Sequence, residues 1–228
     1  MEKIPFNAYD FFAYLSSGFL LLTAFDISFH IRLIIRQPFP FGLAVALLIF
    51  AYVLGHVVAQ LSSLLLESFL LRRVLFSPED HMLDLKAKSW RNFLFPLNSK
   101  PLPEDTLNRI REQARRAGVT PSGRGFFFHC NELAKGNSVT RGRLDNFLNL
   151  YGFCRNVSMS FLLSAGLFFV TGLLLPFPYS VGQPYLSFFS LAGSCLILSA
   201  IMFYRYLKFF RNYTQEVLVT YSETKGTG

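Results

Sequence analysis

Cysteine is scarce in this chain, and its placement carries no chemistry. Cys130, Cys154 and Cys195 show no metal-ligand spacing and do not form the framework of an exported disulfide scaffold. Equally absent are a glycine loop that cradles phosphate, a zinc spacing, a nucleophile elbow and a helix pairing histidines with a carboxylate. These absences argue against a familiar enzyme, and the expectation is a protein with no chemistry, metal or cofactor of its own and no evident small-molecule substrate. There is no internal repeat. No signal-peptide pattern opens the chain either: the first apolar run follows only Lys3 and lacks a small-residue cleavage site, so the N-terminus is expected to be retained.

What is abundant is apolar surface. With 228 residues, 52% hydrophobic and a mean hydropathy of +0.36, the chain is too apolar for an ordinary soluble domain. The expected class is an all-α bundle of four transmembrane helices with a small helical cytoplasmic domain between the second and third. Spans are predicted at about 11–29, 43–66, 157–175 and 185–204. Residues 1–76 form an N-terminal hairpin, 77–137 the basic domain, 138–222 a C-terminal hairpin with cytoplasmic stalks, and 223–228 a tail. Asn7 and Asp10 resemble a cap for the first helix, Ser138 can cap the third, and Pro176, Pro178, Gly182 and Pro184 make an outer turn. Of the 22 lysines and arginines, only Arg32 and Arg36 would lie outside if the first span starts inside. That asymmetry places both termini in the cytoplasm of a multi-pass inner-membrane protein.

The second apolar stretch carries a polar file. At roughly 100° per residue, Tyr52, His56, Gln60, Ser63 and Glu67 fall within about 80° of one another, while Leu54, Val58, Leu61 and Leu65 face elsewhere. Such groups are costly in hydrocarbon, so the file is expected to look into a bundle or an aqueous cavity. Three readings are open: hydrogen bonds to Asp10, Ser17, Asn156 or Ser160, a water-filled or ion-conducting path, or a proton relay. In the first span, Asp10, Ala13, Ser17, Ala24 and Ser28 share a small-residue side, and Asp26 on the other side is expected to reach the outer interface and pair with His30 or Arg32.

Between Ser77 and Asn137 short charged segments are punctuated by proline. Glu104 to Ala117, ended by Gly118, and Arg124 to Ala134, ended near Gly136, read as helices, with Trp90, Phe93 and Phe95 as an aromatic group. Arg109, Arg111, Arg115 and Arg116 cluster on the first of them. The cluster fits anionic lipid headgroups and the topology rule, or a docking face for an acidic partner or nucleic acid. Arg124 and His129 have the Arg-x-x-x-x-His spacing that resembles the metal-independent HEPN ribonucleases, a likeness that implies phosphate stabilisation by arginine and proton transfer by histidine. With 15 arginines and four histidines in the chain, such a spacing also arises readily by chance.

Two passages carry a further likeness. Tyr9-Asp10-Phe11-Phe12-Ala13-Tyr14-Leu15 with Gly18, and Tyr151-Gly152-Phe153-Cys154-Arg155-Asn156, resemble segments of small four-span bacterial membrane proteins encoded beside anti-phage systems. The membrane component of the Kiwa system and the accessory membrane proteins of RNA-targeting CRISPR loci are of this kind, although Ser17-Gly18 stands where a Pro-Gly pair is usual. The resemblance implies a homo-oligomer without chemistry of its own that anchors a cytosolic effector, or signals to one. Separately, the arginine cluster of the basic domain is expected to dock a cytosolic protein, with a nucleic-acid-handling protein as one form of that partner. The competing readings are a pore-forming membrane effector and, third, a HEPN-like ribonuclease.

Overall fold

Proline sets the breaks and apolar runs set the lengths. The computed structural model describes residues 8–34, 40–75, 78–83, 100–174 and 186–224. The expected Asn7 cap, the group of Trp90, Phe93 and Phe95 and the outer turn at Pro176 to Pro184 lie outside the described residues. Helix α1 runs Ala8–Ser28 and α2 runs Phe41–Ser62, opening directly after Pro40, whose φ of −66° prepares the chain for a helix. The helix then continues as a π-wound segment, Ser63–Leu75, followed by α3, Pro78–Met82. Among the described residues that follow are two short helices, α4 at Glu104–Arg116 and α5 at Gly123–Lys135. The long α6, Ser138–Leu174, and α7, Leu186–Glu223, are the last described helices.

The fold is all-α, and among the described residues four helical stretches are long and apolar enough to cross a membrane: Phe11–Ser28, Phe41–Leu71, Ser138–Leu174 and Phe188–Glu223. Helical domain residues lie between the second and third. The chain divides into two compact units, one of Met1–Glu67 with Gly152–Arg205 and one of Ser68–Tyr151 with Tyr206–Gly228.

In the first unit, α1 and α2 meet backbone to backbone. A Cβ built on Gly18 would overlap the carbonyl oxygen of Ala51 and sit 2.6 Å from the Gly55 nitrogen, and one on Gly55 would overlap the carbonyl of Tyr14. Glycine at both positions is therefore what permits the crossing, in the way small residues allow membrane helices to approach. Ala13, Ser17, Ala24 and Ser28 are all buried on α1. Ala24 belongs to a small apolar cluster with Phe168 of α6 and Phe188 and Ala192 of α7. Ser158 and Ser199 then tie α6 to α7, each hydroxyl donating to the other's carbonyl oxygen at 2.9 Å.

Asp26 behaves differently from its sequence expectation. Its carboxylate is buried and accepts the backbone N–H groups of Leu33 at 2.8 Å and Ile34 at 3.3 Å. The chain turns back over the end of α1 through His30 and Arg32, both at positive φ, and this brings amide donors to the carboxylate. Those donors compensate burial of the charge from within the turn.

The second unit has its own core. Leu107, Ile110 and Ala114 of α4 pack with Phe126, Phe127, Cys130 and Ala134 of α5, Leu144 of α6, and Tyr213, Val217, Leu218 and Tyr221 of α7. Tyr213 reaches the core without an orphaned hydroxyl because it donates to Asn131 Oδ1 at 2.9 Å. Gly118, at φ 68°, ends α4 as expected: its N–H donates to the Arg115 carbonyl at 3.1 Å, and that of Val119 donates to Ala114 at 2.9 Å. The cap of α6 is Asn137 in place of Ser138. Its Oδ1 accepts from the amides of Val139 at 3.0 Å and Thr140 at 3.5 Å, satisfying two of the donors that every helix start leaves open.

Candidate functional site

The polar file of the second span separates into two parts. Tyr52 is half-buried, and His56 and Gln60 are exposed on the surface of the single chain, while Ser63 and Glu67 are partly covered. The division coincides with the change of winding at Ser63. Closing hydrogen bonds over five residues turns each residue through less than the roughly 100° of an α-helix. Glu67 consequently moves out of line with His56 and toward α6, where it accepts a hydrogen bond from Arg155. The pair is well covered, with the two side chains 15% and 17% exposed for Arg155 and Glu67 respectively. Within the single chain, His56 and Gln60 therefore do not share the inward direction of Glu67.

Three of the partners expected for the file, Ser17, Asn156 and Ser160, do form a polar ladder, although they bond neighbours of the file. Ser62 donates to Asn156 Oδ1 at 2.8 Å, and Ser160 donates to the carbonyl oxygen of Ser17 at 2.8 Å. Ser164 donates back to Ser160 at 2.8 Å. In this way the ladder links α1, α2 and α6 through direct bonds. Arg155 was legible only as a basic residue before the third span, and its pairing required the altered winding.

His56 lies in an aromatic nest. Its ring stacks on Tyr14 with centroids 4.1 Å apart and meets Tyr52 edge-on at 4.7 Å, and Tyr52 in turn lies 5.2 Å from Phe11. These contacts fix the imidazole on the outer surface of α2. Among the described residues, neither the His56 nor the Gln60 side chain has a hydrogen-bond partner.

In the second unit, α4 turns Leu107, Ile110 and Ala114 inward and leaves Arg109, Arg111, Arg115 and Arg116 exposed. Glu112 pairs with Arg116 one turn away. Among the described residues no ion pair engages Arg109, Arg111 or Arg115, so most of the positive charge remains directed at solvent. The face is thus built by amphipathic spacing: the apolar side docks the helix and the opposite side presents guanidinium groups.

Arg124 and His129 turn to different neighbours. The Arg124 guanidinium lies 5.3 Å over the Phe128 ring, whereas His129 meets Tyr221 edge-on at 6.0 Å. A five-residue separation corresponds to about 140° on an α-helix, so the two side chains do not share one side of α5. Beside them Cys130 is fully buried, and burial pushes its thiol up to about 12, far from the thiolate form a nucleophile requires.

An open groove of about 780 Å³ runs beside the start of α6 and the end of α7, with Arg143 and Glu216 paired at 3.0 Å along its wall. Among the described residues, no cluster of histidine, cysteine, aspartate and glutamate could hold a metal ion. No protein-family model matches this sequence, and neither a curated protein nor a solved structure matches it. Fold and geometry support a multi-pass, all-helical membrane protein.

Proposed function

We propose that this protein is a non-enzymatic, oligomeric scaffold or sensor of the bacterial inner membrane that anchors or signals to a cytosolic effector, in anti-phage defence as the sequence resemblance implies. Both termini lie in the cytoplasm in this reading. The observation that carries it is the solvent-facing cluster of Arg109, Arg111 and Arg115 on a helix whose other face is fixed in a packed core. A rigid basic surface of this kind accelerates encounter with an acidic partner and orients it, contributing more to association rate and specificity than to final affinity.

The interior of the membrane unit supports a scaffold over a conducting path. Glu67 is matched by Arg155, and Ser62, Asn156, Ser160 and Ser17 bond one another directly. Polar groups satisfied by neighbouring helices hold a bundle in one arrangement. The test is purification of the full chain from native membranes in mild detergent. A soluble protein recovered in fixed stoichiometry supports the reading, whereas ion flux from the purified chain alone in liposomes, abolished by Glu67→Ala, would replace it with a channel.

A further inference from the structure

The outer face of α2 holds polar groups at a depth where lipid cannot satisfy them. Counted from Phe41 at 1.5 Å per residue, His56 lies about 22 Å and Gln60 about 28 Å along the helix, within a hydrocarbon core of about 30 Å. Both are exposed on the single chain. The most apolar part of this second span is 22% buried, as is that of the fourth, compared with 44% for the first and third spans. Ile49 and Val53 on the same side are exposed as well, so among the described residues His56 and Gln60 are not a gap in an otherwise covered face.

Ile49, Val53, His56 and Gln60 recur at intervals of four, three and four residues along that side. Ile49 is 61% and Val53 54% exposed. This alternation is the spacing by which two helices mesh along a shared seam. The seam contains no aspartate, glutamate, lysine or arginine, so it offers no ion pair to an acidic or basic partner. A primary amide carries both donors and an acceptor, and a neutral imidazole carries one of each. A copy of the same face, related by a twofold axis, supplies the complement of each group, as an isologous interface requires. Stacking on Tyr14 and edge contact with Tyr52 hold His56 in place before a partner arrives, which lowers the ordering cost of association.

We infer that the Ile49, Val53, His56 and Gln60 face of α2 is a homomeric interface within the membrane, occupied by the same face of a second copy of this chain. It rests on the oligomeric scaffold reading and names the surface through which the oligomer forms. Hydrogen bonds between membrane helices contribute modestly one at a time, so the double variant His56→Leu with Gln60→Leu should weaken self-association roughly tenfold while preserving insertion.

The experiment places the full-length chain in native membranes with a cysteine at Val53, and separately with one at Ile197, an equally lipid-facing position on α7 that is 64% exposed. Mild oxidation should cross-link Val53→Cys into a species of twice the chain mass and leave Ile197→Cys mostly monomeric, and adding the two leucines should remove the cross-link. The inference is overturned if Val53→Cys gives no such species, joins a protein of another mass, links no better than Ile197→Cys, or links equally well with the leucines present. Single-molecule photobleaching of the labelled chain in vesicles separates the two levels. Persistent oligomers alongside any overturning result leave the scaffold reading intact and remove this interface, whereas a monomer removes both.

Discussion

Glu67 and Arg155 neutralise each other between the π-wound continuation of α2 and the middle of α6. Removing one charge from so covered a pair strands the other, at a cost of about 3–5 kcal/mol, whereas replacing both with apolar residues of similar size is close to neutral. Glu67→Ala should therefore destabilise the membrane unit much more than the double variant Glu67→Leu with Arg155→Leu. Reversible unfolding in mixed micelles checks this, and equal losses for the single and double variants would mean that the charges are independent.

The α1 and α2 crossing yields a second expectation. Gly18→Ala and Gly55→Ala each force a methyl group into backbone atoms that have no freedom to rotate away, and each should cost at least about 2 kcal/mol. Gly166→Ala is the matched control, because a Cβ there meets nothing within 4 Å. Alanine at that position should be neutral or stabilising by up to about 1 kcal/mol, as for a glycine inside a helix. Thermal stability of the three purified variants distinguishes the outcomes, and a neutral Gly18→Ala would remove the close crossing.

Cys130 makes the second unit sensitive to alkali. Its folded value of about 12 lies above the ordinary thiol value of 9.0, so between these limits the unfolded chain releases a proton that the folded chain retains. The stability contributed is fully present below about pH 9 and is lost as pH rises toward about 12. Denaturant unfolding at about pH 7.5 and about pH 9.5 should show the wild type losing about 1 kcal/mol more than Cys130→Ala across that interval. Identical pH dependence in the two proteins would exclude the buried thiol as its source.

Much of this architecture can be read from residue order. Proline placement and apolar run length located the four long helices, and Gly118 marked the end of α4 because only glycine takes positive φ there without strain. The small-residue side of α1 was visible as spacing and is buried at Ala13, Ser17, Ala24 and Ser28. The failures share one origin, namely that helical projection assumes uniform winding and ignores what the chain does next. The wheel kept Glu67 in line with His56, while the wider turn after Ser63 carried it to Arg155. Spacing alone pairs Asp26 with the nearby His30 or Arg32 side chain, whereas the reversal at His30 and Arg32 delivers backbone donors instead. Tyr213, Val217, Leu218 and Tyr221 were legible as a helical continuation, but their place in the core beside Phe126 and Ile110 depends on tertiary packing that no local pattern encodes.

The central claim is tested most directly at Arg111 and Arg115, which lie one turn apart on α4, while Arg116 is already engaged by Glu112. The full-length chain and its Arg111→Glu with Arg115→Glu variant are purified from native membranes across a series of salt concentrations, and the recovered soluble protein is quantified against the chain. The account predicts equal membrane insertion, strong recovery by the wild type at low salt that declines as ionic strength screens the face, and roughly tenfold lower recovery by the reversed variant at low salt. Recovery by the reversed variant that equals the wild type at every salt concentration would contradict the account and leave the arginines as a topology signal alone.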